Sequence, residues 1–99
     1  MDIKQIPVTD NELAHQFEMK VNGQIAKIEY MMSGERMFLT HTEVPVSLEG
    51  QGVAAHMVEK VLQIIDERKL KLVPLCPYVA SYLRKHPEWK RLLAHGIRI

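Results

Sequence analysis

Three short stretches of this 99-residue chain carry residue types at spacings that suit chemistry. In LKLVPLCPYVA (70–80) the only thiol, Cys76, stands just before Pro77, so it is the natural N-cap of a helix that the proline would begin. A thiol beside the unpaired N–H groups of a helix start is favoured as thiolate, the form that attacks an acyl carbon. In LTHTEVP (39–45) His41 and Glu43 lie two apart on a strand-like run, which puts them on one face. Glu43 can orient the His41 imidazole or raise its basicity, and such a pair suits a general base. In PVSLEGQGVAAHMVEK (45–60) Gly50 and Gly52, followed by the small Ala54 and Ala55, bring bare backbone to the first turn of a helix. Such a turn offers unpaired N–H groups and roughly half a positive charge, which together bind phosphate oxygens.

Each stretch also has a bland alternative. A free cysteine often serves as a small buried hydrophobe. His41 alternates with Met37 and Leu39, which predicts an imidazole facing the core and hydrogen-bonded there. The glycines can be no more than a flexible entry to a helix, with Ser47 as a nearby cap. The loop is not a Walker A motif, since no GK[ST] follows, and it lacks the three-glycine dinucleotide spacing. His15, His56, His86 and His95 show no metal-ligand spacing with one another or with Cys76, so no metal is expected.

The flanking residues predict the elements that hold these groups. QFEMKV (16–21) and QIAKIEYMMS (24–33) alternate, with Phe17, Met19 and Val21 on one side and Ala26, Ile28 and Tyr30 on one face of the next run. Asn22-Gly23 between them predicts a type I′ hairpin. Ser33-Gly34-Glu35 predicts a second turn, into a third strand, RMFLTHTEV, that ends at Pro45. The apolar period then changes: Val53, Met57, Val58, Val61, Leu62 and Ile65 mark one face of a helix over about 52–69. LKLVPL reads as a buried strand, parallel to the third through a right-handed crossover. Pro77 and Pro87 predict two further helices, over 77–86 and over 87–94, the latter stopped by Gly96. The order βββαβαα is an α/β sheet with packed helices. It would bring His41, the glycine loop and Cys76 to the C-terminal ends of neighbouring strands, where open α/β sheets bind ligands.

The totals narrow the function classes. The length fits one domain over 1–99, and a net charge of +1 gives no concentrated positive field for nucleic acid or an anionic membrane. A nucleic-acid reading of KRLLAHGIR with Tyr78, Tyr82 and Trp89 is weak, because those aromatics fall at helical, core-like spacing. One cysteine excludes an internal disulfide and suits a reducing, cytoplasmic setting. The start, MDIKQIPVTD, lacks a signal-peptide pattern, and no apolar run is long enough to span a bilayer.

LTHTEVP, EGQGVAAHMV and VPLCPYVASYLRKHPEW together resemble the small GNAT-like (YjdJ-like) N-acetyltransferase family, from about Phe17 to Trp89. The resemblance implies a minimal GNAT fold: a meander, a long helix, a splayed parallel strand and C-terminal helices. It implies that acetyl-CoA lies in the splay, with its pantetheine arm along the third-strand edge from His41 through Thr42 to Val44. Its pyrophosphate would rest on the motif [QR]-x-x-G-x-[GA], matched here by Glu49 to Ala54, with Gln51, Gly52, Val53, Ala54 and Ala55 as binding residues. Glu49 stands where the motif carries Arg or Gln, and a carboxylate near a pyrophosphate is repelled unless it points to solvent. Cys76 would lie near the sulfur end of the coenzyme, with Tyr78 and Tyr82 lining the same pocket or packing in the core.

Two chemistries follow from the resemblance. One is direct transfer of acetyl to an amine, with His41 or Glu43 as base; the other is an acyl-enzyme on Cys76. A chain this short is expected to lack much of the N-terminal helical region that shapes an acceptor pocket in larger relatives. A shallow acceptor site would suit a protein or peptide amine. The competing class is a coenzyme A-binding or protein-interaction module with little catalysis.

Overall fold

The computed structural model describes residues 2–99. Five strands form one sheet in sequential order: β1 (Thr9–Asn11), β2 (Gln16–Val21), β3 (Gln24–Ser33), β4 (Arg36–Glu43) and β5 (Lys71–Pro74). The first four are antiparallel, and β5 runs parallel to β4. The connection between β4 and β5 is α1 (Val53–Glu67), and α2 (Pro77–Lys85) follows β5. The α/β class, the meander and the parallel fifth strand are as the sequence predicts.

The hairpin chemistry is visible in the backbone. Asn22 and Gly23 both take positive φ, 52° and 76°, which a type I′ turn requires, and Val21 pairs with Gln24 across it. The alternation then sorts the sheet. Phe17, Met19, Val21, Ala26, Ile28 and Tyr30 are buried, and α1 covers them with Met57, Val58, Val61, Leu62 and Ile65. Val79 and Leu83 of α2 join the same core.

Three features depart from the pattern. β1 was not legible, because its three residues carry no apolar alternation; it pairs with Gln16–Glu18 at the sheet edge. The stretch predicted as a last α-helix is a 3-10 helix over Pro87–Leu92, and the chain then turns extended. Leu93 bridges Leu72, and the Ala94 N–H donates to the Leu72 carbonyl at 2.9 Å. An α-helical 87–94 would leave that free edge of β5 unpaired. The third departure is a β-bulge in β4. Tyr30 pairs with Leu39 but Glu29 pairs with His41, so Thr40 is the extra residue. Its hydroxyl donates to the Glu29 carbonyl at 3.2 Å.

The edge strand is fastened by a polar cluster. The Tyr30 hydroxyl donates to Asp10 Oδ1 at 2.6 Å, and Arg68, the C-cap of α1, donates to Asp10 Oδ2 at 2.9 Å. Burial, and then the Asp10 carboxylate, push the Tyr30 phenol well above its ordinary value. The fold therefore favours the neutral phenol. That contribution is complete below about pH 10, the value of a free phenol, and is lost as pH rises through the higher folded value. Denaturant midpoints measured from pH 8 to 11 should fall more steeply above pH 10 for the parent chain than for Tyr30→Phe. Parallel profiles would contradict this.

Candidate functional site

The bulge divides the predicted site residues between two faces of the sheet. Cross-strand partners share a face, and Thr42 pairs with the buried Ile28, so Thr42 points toward the helices. His41 and Glu43 pair with Glu29 and Lys27 and point to the opposite, helix-free face. The expectation that His41 faces the core with Met37 and Leu39 is therefore overturned: those two are buried, whereas His41 is exposed beyond the extra residue. The predicted pairing of Glu43 with His41 is not formed either. Glu43 lies 3.6 Å from Lys27 Nζ, which also holds Glu29 at 3.3 Å.

On the helix side the chain ends converge. The Leu39 carbonyl accepts from both Leu75 N–H (3.0 Å) and Cys76 N–H (2.9 Å), which ties the exit of β5 to the bulge. The last β4–β5 rung is Leu39 with Pro74, so from Thr40 to Glu43 one edge of β4 has no strand partner. Cys76 is the N-cap of α2 as predicted, but its side chain makes no cap hydrogen bond. The thiol is 4% exposed and donates instead across the gap to Thr42 Oγ1 at 3.2 Å.

Beyond Thr42 a cavity of about 230 Å³ opens, lined by Val44, Leu48, Glu49, Gly50, the residues Gly52–Ala55 and Tyr78. Gly50 and Gly52 have φ of 80° and 79°, and Gly52 is the N-cap of α1. The first amides of a helix have no partner within it, and no side chain caps those of α1. The His56 N–H reaches the Gly52 carbonyl, but among the described residues nothing accepts from Val53, Ala54 or Ala55. Three unclaimed amide donors at a cavity suit the oxygens of a phosphate ester, and a Cβ at Gly52 would stand in open space there. Glu49, the odd member of the motif, lines the same cavity. The residues present thus fit a pyrophosphate group, with one opposing charge.

The aromatic candidates separate. Tyr78 lines this cavity, and burial pushes its phenol above the ordinary value, so it stays a neutral donor. Tyr82 and Gln51 line an adjoining groove instead, and Tyr82 stacks on His86 with ring centroids 4.2 Å apart. Within the basic C-terminal run, Arg91 is engaged by Asp66 through two parallel hydrogen bonds of 2.9 and 2.8 Å, and Trp89 packs against the core. Leu48 and the Leu39 carbonyl belong to the site without any warning in the sequence, since only the fold brings them there. No group of three or more metal-ligating side chains occurs among the described residues. No helix there is long and apolar enough to cross a membrane.

Residues 16–92 match the family model described as GCN5-related N-acetyl-transferase. The chain belongs to that family. Its curated relatives include Protein NATD1 of Gallus gallus, 33% identical over 85 residues, covering 83% of this chain and 77% of the relative. Protein NATD1 of Homo sapiens is also 33% identical, over 83% of this chain and 75% of its own length. A GCN5-like protein from Staphylococcus aureus, solved by NMR, shares the fold with a TM-score of 0.70 at 23% identity, over 94% of this chain and 91% of that one. The minimal GNAT-type fold implied by the sequence motifs is thus the fold observed.

Proposed function

We propose that this GNAT-family domain binds acetyl-CoA in the cavity between β4, the glycine loop and α2, and transfers the acetyl group to an amine. The observation that carries the reading is the set of unclaimed Val53–Ala55 amides at a cavity that Val44, the residue just after the unpaired end of β4, also lines. Those amides, with the Gln51–Gly52 turn, would hold the pyrophosphate, and the Thr42–Val44 edge would take the pantetheine amides. Acetyl-CoA supplies the acetyl group activated as a thioester. His41 or Glu43, on the open face, would take a proton from an amine arriving on that side. The amine nitrogen then bonds to the acetyl carbon, the carbon–sulfur bond breaks, and the thiolate released takes up a proton.

A second reading is favoured by one observation: the paired bonds to the Leu39 carbonyl fix Cys76 where β4 and β5 part. In that reading Cys76 Sγ bonds to the acetyl carbon, its proton goes to the departing thiolate, and the amine later removes the acetyl group and restores the thiol. The burial of the thiol, whose hydrogen-bond partner is the Thr42 hydroxyl and not a base, favours direct transfer. Cys76→Ala should therefore keep transfer to a panel of amines and peptides within about three-fold of the parent, because the loss is one buried thiol and not the reacting group. Loss of turnover in the variant, with an acetyl adduct on the parent's Cys76 by intact mass, would establish the acyl-enzyme. Tight acetyl-CoA binding without turnover on any amine would leave a coenzyme-binding module.

Glu49 supplies a test of the pyrophosphate position. Removing an exposed like charge beside it should strengthen binding, so Glu49→Gln is expected to tighten acetyl-CoA about three-fold at low salt, with the gain shrinking as salt is added. Unchanged affinity at all ionic strengths would place the pyrophosphate elsewhere.

A further inference from the structure

Charge is divided unevenly along this chain. Residues 1–67 hold eleven carboxylates against five lysines and arginines, whereas residues 68–99 hold eight cations against one acid, Glu88. Two features at one end of the sheet bring the two signs close together. The first is a knob: Leu13 is 98% exposed in the turn between β1 and β2, beside Glu12. The turn is nevertheless firmly held. Asn11 Oδ1 accepts from the Ala14 N–H at 3.2 Å, the Glu12 carbonyl from the His15 N–H at 3.3 Å, and the His15 carbonyl from the Tyr30 N–H at 2.9 Å. A leucine kept in water on a fastened turn is apolar surface that a partner can cover with little loss of loop entropy.

The second feature is a groove of about 630 Å³ lined by Ser33, Glu35, Arg36, Phe38, Lys71 and His95. It lies on the helix-free face, opposite the buried Met37 and Leu39, and the strand register builds it in two rows. Met31, Phe38 and Val73 stand side by side across β3, β4 and β5, and Ser33, Arg36 and Lys71 form the next row out. The apolar row is open at Met31, which is 63% exposed. The outer row presents two cations that enter no ion pair among the described residues, with Glu35 as the one acid of the groove.

An apolar row beside a cation row complements a leucine beside a carboxylate, which is what the turn offers. The knob is tied to one side of β3 and the groove opens on the other, so they stand about two strand spacings apart, roughly 10 Å. A two-fold contact requires such complementary halves on one surface.

We propose that two copies of this chain pair through this end of the sheet, with Leu13 of each copy on the Met31–Phe38 row of the other and Glu12 meeting Arg36 and Lys71. The glycine-loop cavity stays open in the pair, because Arg36 begins β4 and the cavity lies beyond its last residue. The pairing therefore stands whether or not a coenzyme binds there.

Sedimentation equilibrium of the full chain over about 1–500 μM tests this. The parent should reach twice the 11.4 kDa chain mass within that range, and at lower concentration in low salt than in high. Leu13→Ser and Arg36→Glu should each weaken association at least about ten-fold while keeping the parent's circular dichroism. Glu12→Arg should do the same. Mixing it with Arg36→Glu should restore the dimer, because one contact of the mixed pair is parental and the other is the same ion pair reversed. A parent that stays monomeric to about 500 μM would overturn the pairing and leave the groove to an acidic segment of another protein. A dimer that none of these substitutions weakens would overturn it as well.

Discussion

Gly52→Val should lower acetyl-CoA affinity by at least about 30-fold, because losing even one hydrogen bond to a charged group costs about 2 kcal/mol. Two effects add. Gly52 sits at φ 79°, where a β-branched residue is strained, so the loop would shift and move the Val53–Ala55 amides. The new side chain would also stand in space that is now open beside the cavity. Gly52→Asn separates the two, since asparagine tolerates the left-handed region, as Asn22 does at φ 52° in this chain. The valine variant should lose both stability and binding. The asparagine variant should keep most of its stability and still bind weakly. Titration and thermal melting of the two proteins read this directly, and parent-like affinity in both would remove the glycine loop from the site.

The largest expected effect on the fold itself is at Asp10. Asp10→Ala should destabilise by about 2–3 kcal/mol, because it leaves the buried Tyr30 hydroxyl without an acceptor and Arg68 without its partner. For a chain of this length that corresponds to a fall in melting temperature of roughly 10–20 °C. Adding Tyr30→Phe should restore part of the loss, since replacing both partners by apolar groups removes the unsatisfied hydroxyl. A single variant that melts with the parent, or a double variant whose losses simply add, would show that the cluster does not fasten β1.

What was legible in the sequence was whatever repeats along it. Asn22-Gly23, the alternation around Ile28 and the helical period from Val53 to Ile65 each carry several residues of signal, and each became the element predicted. Pro77 marked the start of α2 for a local steric reason, and the position of Cys76 followed from it. The bulge had no such signal. Thr40 is an ordinary strand residue, and one inserted position is enough to reverse the face of everything after it. That single residue explains why His41 and Glu43, expected inside, stand on the open face, while Thr42 turns inward to meet the thiol. The turn from 3-10 helix to extended chain after Leu92 was hidden for another reason. It answers the hydrogen-bonding need of Leu72, far away in sequence. The bulge also gives the site its two sides, with the thiol and Thr42 behind β4 and the base candidates in front.

If acetyl-CoA lies along the unpaired edge of β4 with its pyrophosphate on the α1 amides, a two-dimensional amide NMR titration of the unsubstituted protein will locate it. Saturable shifts are expected at Val53, Ala54 and Ala55 and at Thr42 and Val44, with the far strand β2 unmoved around Lys20. Saturation that leaves the α1 amides and the β4 edge in place would contradict it.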